Sequence, residues 1–282
     1  MSDDRVTCRV CPRHCSLPED ALGACHARRN VSGEVACDSY GRVTSLALDP
    51  VEKKPLLRYM PGSLLLSVGS YGCNLRCPWC QNHEISQAGP DDVPWREISP
   101  EELVAVARAQ REMNEGVVGI AYTYNEPLVG WEYVRDCCEL AHEAGLVNVL
   151  VSNGCAEMPV IRALEGLVDA ANIDLKGFTP RLYQDCGGDL ACVRETIAEL
   201  ALCPTCHLEV TTLVIPDAND SDEEVEAMAA WLARLDPEIT YHLSRFFPCW
   251  RMAHAAPTPT SRVYHLADVA RRHLRHVYTG NC

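Results

Sequence analysis

The chain has 282 residues, of which 47% are hydrophobic and 23% are charged, a composition typical of a folded globular protein. Its net charge of −14 at pH 7 opposes contact with phosphate backbones, so we expect no nucleic-acid partner. No apolar run approaches the roughly 20 residues that span a bilayer, and the acidic N-terminus lacks the apolar region of a signal peptide. We therefore expect a cytoplasmic protein with no membrane partner.

Strand-like and helix-like patterns alternate along the chain. Apolar runs predict strands at residues 64–70, 117–123, 147–152, 170–175, 207–215 and 239–246, with a short last strand at 277–278. Amphipathic stretches and capping signals predict helices at residues 99–115, 128–143, 159–166 and 190–202, a helix capped by Ser221, and a last helix at 261–274. The spacing of about 30 residues is that of a βα unit in a parallel sheet.

This rhythm predicts an α/β fold with two parts. Residues 61–282 are expected to form a partial, open (β/α)6 barrel, because six repeats fall short of the eight in a closed barrel. Residues 1–60 are expected to form a cysteine-rich N-terminal segment that binds metal. Chemistry in such sheets lies at the carboxyl ends of the strands.

Cysteine is the unusual component, with 17 in the chain. Without a signal peptide, clustered cysteines indicate metal binding or catalysis and not disulfides. Cys73, Cys77 and Cys80 follow the first predicted strand with the spacing C-x3-C-x2-C. Three thiolates on one loop can hold three irons of a [4Fe-4S] cluster and leave the fourth iron open to a cofactor or substrate. A zinc site is the alternative, but zinc prefers four closed ligands.

The cysteine loop, with Trp79 before its last cysteine, resembles that of the radical S-adenosylmethionine (SAM) superfamily. Residues 123–127 read Thr-Tyr-Asn-Glu-Pro after the second strand, similar to the Gly-Gly-Glu-Pro-like turn of this superfamily. Residues 152–154 (Ser-Asn-Gly) and 174–176 (Asp-Leu-Lys) are similar to motifs of pyruvate formate-lyase activating enzymes.

The resemblance implies that the protein is an oxidoreductase of the radical SAM type. Its [4Fe-4S] cluster would reductively cleave SAM to a 5′-deoxyadenosyl radical, which removes a hydrogen atom from the substrate. A reductant such as flavodoxin or ferredoxin would be a partner. The implied cofactor-binding residues are Trp79, Asn125, Glu126, Ser152, Asn153, Asp174 and Lys176.

The implied roles differ among these residues, and each has a structural alternative. Glu126 would bind the methionine ammonium, or be a carboxylate of a helical first turn. Ser152 and Asn153 would contact the ribose and carboxylate, or form a turn. Lys176 would also contact the ribose and carboxylate, or form a strand-end ion pair with Asp174.

Several further motifs narrow the resemblance to the radical SAM enzymes of the AmmeMemoRadiSam system, which are pyruvate formate-lyase activating enzyme-like. They lie at residues 8–15, 48–56, 244–248 and 257–260, in addition to the cysteine loop and residues 123–127. This narrower resemblance implies a Memo-like and an Ammecr-like companion protein.

The N-terminal segment contains a second group of cysteines, Cys8, Cys11, Cys15 and Cys25. Four cysteines in a segment too short for its own core predict a metal staple. Zinc and a second iron–sulfur cluster both remain open as occupants.

Other polar residues have weaker signals. Cys186 is a candidate substrate-side thiol, and Cys203 and Cys206 form a redox pair, a zinc knuckle or two unrelated thiols. His242 and Arg245 either line the pocket or, for the histidine, lie satisfied in the core.

Two classes of function follow. The first is a radical SAM enzyme that installs a glycyl radical on a partner or modifies a peptide, protein or small molecule. The alternative is an iron–sulfur or zinc electron-transfer or adaptor protein without SAM chemistry. The polar residues at the strand ends favour the enzyme, because an electron carrier needs no methionine pocket.

Overall fold

The computed structural model describes residues 5–282, whose main element is an eight-stranded sheet. The sheet strands are β6 (Ser45–Pro50), β7 (Leu64–Gly69), β9 (Val117–Tyr122), β10 (Val147–Ser152), β11 (Ala170–Asp174), β12 (His207–Val214), β13 (Thr240–Arg245) and β14 (His276–Gly280). They lie in the order β14-β13-β12-β11-β10-β9-β7-β6; strands β7 and β9 to β14 run parallel, and β6 pairs antiparallel with β7. Within residues 5–282 the two edge strands do not pair, so the predicted open α/β barrel is confirmed.

The helices cover the sheet between the strands. They are α1 (His83–Ser86), α2 (Pro100–Met113), α3 (Trp131–Glu143), α4 (Met158–Arg162), α5 (Pro180–Cys186), α6 (Leu190–Leu202), α7 (Asp222–Leu235) and α8 (Thr260–Ala270). All except α1 and α5 lie close to predicted helices, and those two were not predicted. The predicted capping box of α2 is present, since the side chains of Ser99 and Glu102 each bond the other's backbone N–H. No helix within residues 5–282 is long and apolar enough to cross a membrane.

The N-terminal segment folds into small antiparallel pairs. Its strands are β1 (Val6–Thr7), β2 (Ser16–Leu17), β3 (Arg28–Val31), β4 (Glu34–Cys37) and β5 (Arg42–Val43), the last pairing with β8 (Arg96–Glu97). The segment lies against the loop that follows β7: the Cys73 N–H donates to the Cys25 carbonyl at 3.1 Å, and Arg13 Nε donates to the Asn74 carbonyl at 3.0 Å.

Strand β6 was not predicted. It precedes the predicted boundary at residue 60, so this part of the N-terminal segment belongs to the main sheet. Residues 55–58, which follow it, contact strands β11 and β12. The Glu209 carboxylate on β12 accepts the Leu57 N–H at 3.1 Å and the Arg58 N–H at 2.8 Å, and Asn172 Nδ2 on β11 donates to the Pro55 carbonyl at 2.8 Å.

Glu209 is fully buried and also accepts from His207 Nε2 at 2.9 Å and from His242 Nε2 at 2.5 Å. Burial raises the pKa of Glu209, but the hydrogen bonds from His207 and His242 outweigh it and lower the pKa to about 2. The stabilisation by this carboxylate is therefore present above pH 4.5 and is lost as the pH falls toward 2.

We expect Glu209→Gln to lower the free energy of unfolding at pH 7 by about 3 kcal/mol, measured by urea denaturation. The variant should also lose less stability than the parent as the pH falls below 4.5. Glu238→Gln is the matched control, because Glu238 accepts from His276 at an exposed position. Equal stability of the Glu209→Gln variant and the parent at pH 7 would contradict the assignment.

Candidate active site

A cavity of about 280 Å³ opens at the carboxyl ends of the parallel strands. The residues predicted to hold the cluster and SAM come from the loop after β7 and from the ends of β9, β10 and β11. All of them line this cavity: Cys73, Cys77, Trp79, Cys80, Asn125, Glu126, Ser152, Asn153, Asp174 and Lys176. The structure thus brings them together, while their binding roles stay predictions.

The cysteine loop is fixed by the backbone that surrounds it. Gly72 has φ +88°, and a Cβ there would lie 2.3 Å from the Cys25 carbonyl oxygen, so the loop needs glycine at its first position. Cys80 N–H donates to the Cys77 carbonyl at 3.1 Å, which closes the turn between the last two cysteines. Residues 25 and 72 therefore restrict the shape of the loop.

Hydrogen-bonding groups lie beside the sulfurs of Cys73 and Cys80. The Leu75 N–H lies 3.3 Å from Cys73 Sγ, and Asn153 Nδ2 lies 3.6 Å from the same sulfur. The Ser86 hydroxyl lies 3.2 Å from Cys80 Sγ. Such donors stabilise thiolates and tune the potential of iron–sulfur clusters.

The three thiols differ in their electrostatic surroundings. Burial raises the pKa of Cys73 and of Cys80. The neighbouring Cys186 thiol, aided by the Lys176 ammonium, lowers the pKa of Cys77 in spite of its burial. Cys186 thus lies beside Cys77, although it is not among the residues that line the cavity.

Glu126 is almost fully buried at the end of the turn after β9. Its Oε1 accepts from Ser152 Oγ at 2.7 Å and from the Leu128 N–H at 2.9 Å, and its Oε2 accepts from the Asn153 N–H at 2.8 Å. Burial raises the pKa of Glu126 to about 7, and these donors limit the rise. The bond to Leu128 also caps the short 3₁₀ helix Pro127–Gly130. Glu126 is therefore both a carboxylate at the start of a helical turn and a residue of the cavity wall.

The predicted ion pair between Asp174 and Lys176 is present, with Nζ 2.7 Å from Oδ2. Burial disfavours the charged ammonium, but the Asp174 carboxylate and the Cys77 thiolate outweigh it and raise the pKa of Lys176. Lys176 therefore carries its charge within the cavity, next to the cysteine loop.

Asn125 braces the site through its side chain. Its Oδ1 accepts the Ser70 N–H at 2.9 Å, and its Nδ2 donates to the Tyr71 and Gly72 carbonyls at 3.1 Å each. Both amide hydrogens are thus used on the backbone that leads into the cysteine loop. These bonds give the asparagine a structural role at the position where the Gly-Gly-Glu-Pro-like turn has a glycine.

The donor set fits an iron–sulfur cluster better than a single metal ion. Within residues 5–282, no three His, Cys, Asp or Glu side chains are arranged to hold one ion. The thiolates of a cluster bind separate irons and do not need to share one ion. Cys73, Cys77 and Cys80 around a common cavity, with donors on their sulfurs, meet that requirement.

The N-terminal cysteines lie near one another but are not gathered into one coordination sphere in the described chain. Cys8, Cys11 and Cys25 are buried. Burial raises the pKa of Cys11 to about 12, with smaller contributions from the Cys25 and Cys8 thiols. The metal predicted at these four cysteines, zinc or a second cluster, stays a prediction.

The weaker candidates of the sequence lie elsewhere. His242 is a satisfied core histidine bonded to Glu209, and Arg245 donates to the Thr258 carbonyl at 2.6 Å; neither lines the cavity. The cavity wall instead includes Ser244, the first residue of the 244–248 motif, and Thr211 and Leu213, which the sequence analysis did not single out. Their signal was the period-two alternation along β12 and β13, which places 211 and 213 on one face.

We expect replacement of Cys73, Cys77 and Cys80 together by alanine to abolish iron and sulfide binding at the cavity, because no thiolate ligand remains there. Iron, sulfide and zinc analysis after anaerobic reconstitution checks this. The matched control replaces Cys137, Cys138 and Cys206, three cysteines outside the cavity, and should keep the iron. An iron and sulfide content of the Cys73/Cys77/Cys80 variant equal to that of the parent would contradict the assignment, whereas loss of part of the iron with the rest retained would indicate a second cluster at the N-terminal cysteines.

Comparison with known proteins agrees with this geometry. The radical SAM superfamily model matches residues 67–232. The uncharacterized protein MJ0808 of Methanocaldococcus jannaschii is 38% identical over 283 residues, which cover 100% of this chain and 83% of the relative.

Solved structures share the fold at low identity. A domain of pyruvate-formate lyase-activating enzyme from Bacteroides vulgatus aligns with a TM-score of 0.52 and 15% identity, over 58% of this chain and 99% of that chain. SuiB of Streptococcus suis bound to S-adenosylmethionine aligns with a TM-score of 0.57 and 11% identity, over 77% and 52% of the two chains. With the family model covering more than half of its length, the chain belongs to the radical SAM superfamily, whose members use a [4Fe-4S] cluster and SAM.

Proposed function

We propose that this protein reductively cleaves SAM at a [4Fe-4S] cluster on Cys73, Cys77 and Cys80 and acts on a protein or peptide substrate, as a pyruvate formate-lyase activating enzyme-like enzyme. The observation that carries the proposal is the convergence of these cysteines with the buried carboxylate of Glu126 around one cavity. When bound and reduced, the cluster supplies the electron that breaks the sulfonium bond and releases the 5′-deoxyadenosyl radical.

The residues of the chain bind and orient SAM in this account. Glu126 offers its carboxylate to the methionine ammonium, and its Oε2 has one protein donor, the Asn153 N–H. Lys176 offers a positive charge to the SAM carboxylate and keeps Asp174 beside it for a ribose hydroxyl. Trp79 is buried within the cysteine loop, and its backbone would lie beside the adenine of bound SAM.

The size of the cavity supports a large substrate that reaches in from outside. At about 280 Å³ the cavity is below the range of about 300–1,000 Å³ that is usual for a pocket holding one small ligand. The cluster and SAM would together occupy this space. A side chain or backbone segment presented at the mouth fits better than a small molecule enclosed whole.

The partners follow from the resemblance to the AmmeMemoRadiSam system. We propose a Memo-like and an Ammecr-like protein as companions, and flavodoxin or ferredoxin as the reductant. The similarity of residues 8–15, 48–56, 244–248 and 257–260 to that system supports the companions. A metal at the N-terminal cysteines would lie close to the cavity, because the Cys25 carbonyl bonds the Cys73 N–H.

Anaerobic reconstitution with iron and sulfide, followed by dithionite and SAM, tests the proposal through 5′-deoxyadenosine and methionine, quantified by mass spectrometry. We expect both products from the parent protein. Glu126→Gln should need about tenfold more SAM for the same rate, because the ammonium loses a charged acceptor. Glu199→Gln, at an exposed ion pair with Arg162 on the outer helices, is the control and should match the parent.

The same reaction with the candidate companions added tests the substrate. We expect a change in mass of one companion, or a glycyl radical detected by electron paramagnetic resonance (EPR). A protein that assembles its cluster but makes no 5′-deoxyadenosine would favour the electron-transfer or adaptor function instead.

A further inference from the structure

Tyr124 holds an unfavourable backbone conformation within the turn that carries Glu126. Its φ is +72°, in the left-handed region that favours glycine or asparagine and not a tyrosine. Tyr124 also lines the cavity. A strained residue persists only where its surroundings hold it, so contacts of Tyr124 must stabilise this conformation.

The phenol of Tyr124 is anchored by residues that precede the parallel strands. Its Oη donates to Asp49 Oδ2 at 2.6 Å, and Lys54 Nζ donates to the same oxygen at 2.8 Å. Lys54 Nζ also lies 4.8 Å from the centre of the Tyr124 ring, a cation–π contact. Asp49 and Lys54 are 9% and 3% exposed, so two buried charged groups hold the half-buried ring of Tyr124.

The remainder of the residue is fixed from two further sides. A Cβ on Gly69 would lie 3.0 Å from both Cβ and Cδ2 of Tyr124, so the ring packs on bare backbone at the end of β7. The Tyr124 carbonyl accepts from Asn82 Nδ2 at 2.8 Å, just beyond the last cysteine of the loop. Tyr124 therefore joins β6, β7, the cysteine loop and the turn after β9.

We propose that Asp49 and Lys54 are positioning residues for the SAM site and act through Tyr124. By holding the phenol they keep the backbone of Tyr124 in the left-handed region. The turn of residues 123–126 then directs the Glu126 carboxylate toward Ser152 and Asn153. This inference rests on the proposed function, because Glu126 is the residue that meets the SAM ammonium there. Neither Asp49 nor Lys54 is among the residues that line the cavity.

Tyr124→Phe is the first test, because it removes only the hydroxyl and keeps the ring on Gly69 and Lys54. The measurement is the EPR spectrum of the reduced cluster, titrated with SAM. We expect an unchanged spectrum and iron content without SAM. The SAM concentration for half of the spectral change should rise about five- to tenfold, the effect of losing one hydrogen bond of ordinary strength. The cleavage rate at saturating SAM should stay within about twofold.

Tyr40→Phe is the matched control, since Tyr40 Oη donates to Asp136 Oδ2 at the same distance of 2.6 Å on the outside of the fold. A double-mutant cycle with Asp49→Asn tests the coupling. If Asp49 acts through the phenol, Tyr124→Phe should add little to the effect of Asp49→Asn on SAM affinity. Should Asp49→Asn fail to fold because Lys54 is left unpaired, Tyr124→Phe alone decides.

The outcomes separate this inference from the proposed function. A parent protein whose spectrum does not respond to SAM overturns both, starting with the proposed function. A parent that responds and a Tyr124→Phe variant with the same SAM affinity overturn the positioning role alone. Loss of the cluster in Tyr124→Phe also overturns it, because the hydroxyl would then support the general fold and not the SAM site.

Discussion

The buried carboxylate of Glu126 is the constraint on which the arrangement of the cavity depends. A buried carboxylate is costly unless donors surround it, and its donors come from its own turn and from the end of β10, through Ser152 and Asn153. Asn153 Nδ2 in turn donates to Asn74 Oδ1 at 2.9 Å. Satisfying one carboxylate therefore holds the turn after β9, the end of β10 and the cysteine loop at fixed distances.

The chain before the first parallel strand supports this arrangement from outside the cavity. Strand β6 extends the sheet, and residues 55–58 are fastened to β11 and β12 by Asn172 and Glu209. The cysteine-rich hairpins lie on the cysteine loop through the Cys25 carbonyl. An open sheet leaves its interior accessible, and residues 51–58 cover it with the fully buried side chains of Val51 and Leu56 as well as with these polar contacts. Residues 45–58 thus act as part of the barrel, while the cysteine-rich hairpins contact its cysteine loop.

Sequence reasoning recovered the parallel strands and most helices because their signals are local. The apolar run before Tyr71 and the capping box at Ser99 each need only a few neighbouring residues. The gathering of the candidate site followed from topology, since parallel strands end at one edge. Contacts between distant residues could not be predicted: Tyr124 meets Asp49 and Glu209 meets Leu57 only once the chain has folded. Strand β6 was missed because its half-exposed apolar residues give no buried-strand pattern.

The cluster proposed on Cys73, Cys77 and Cys80 would offer SAM one iron with an open position. Mössbauer spectroscopy of protein reconstituted with ⁵⁷Fe, recorded with and without SAM, distinguishes this iron from the others. We expect one iron of this cluster to change its isomer shift and quadrupole splitting when SAM is added, while its other three irons keep the parameters of cysteine-bound sites. An iron spectrum that is the same with and without SAM would refute the proposed open position.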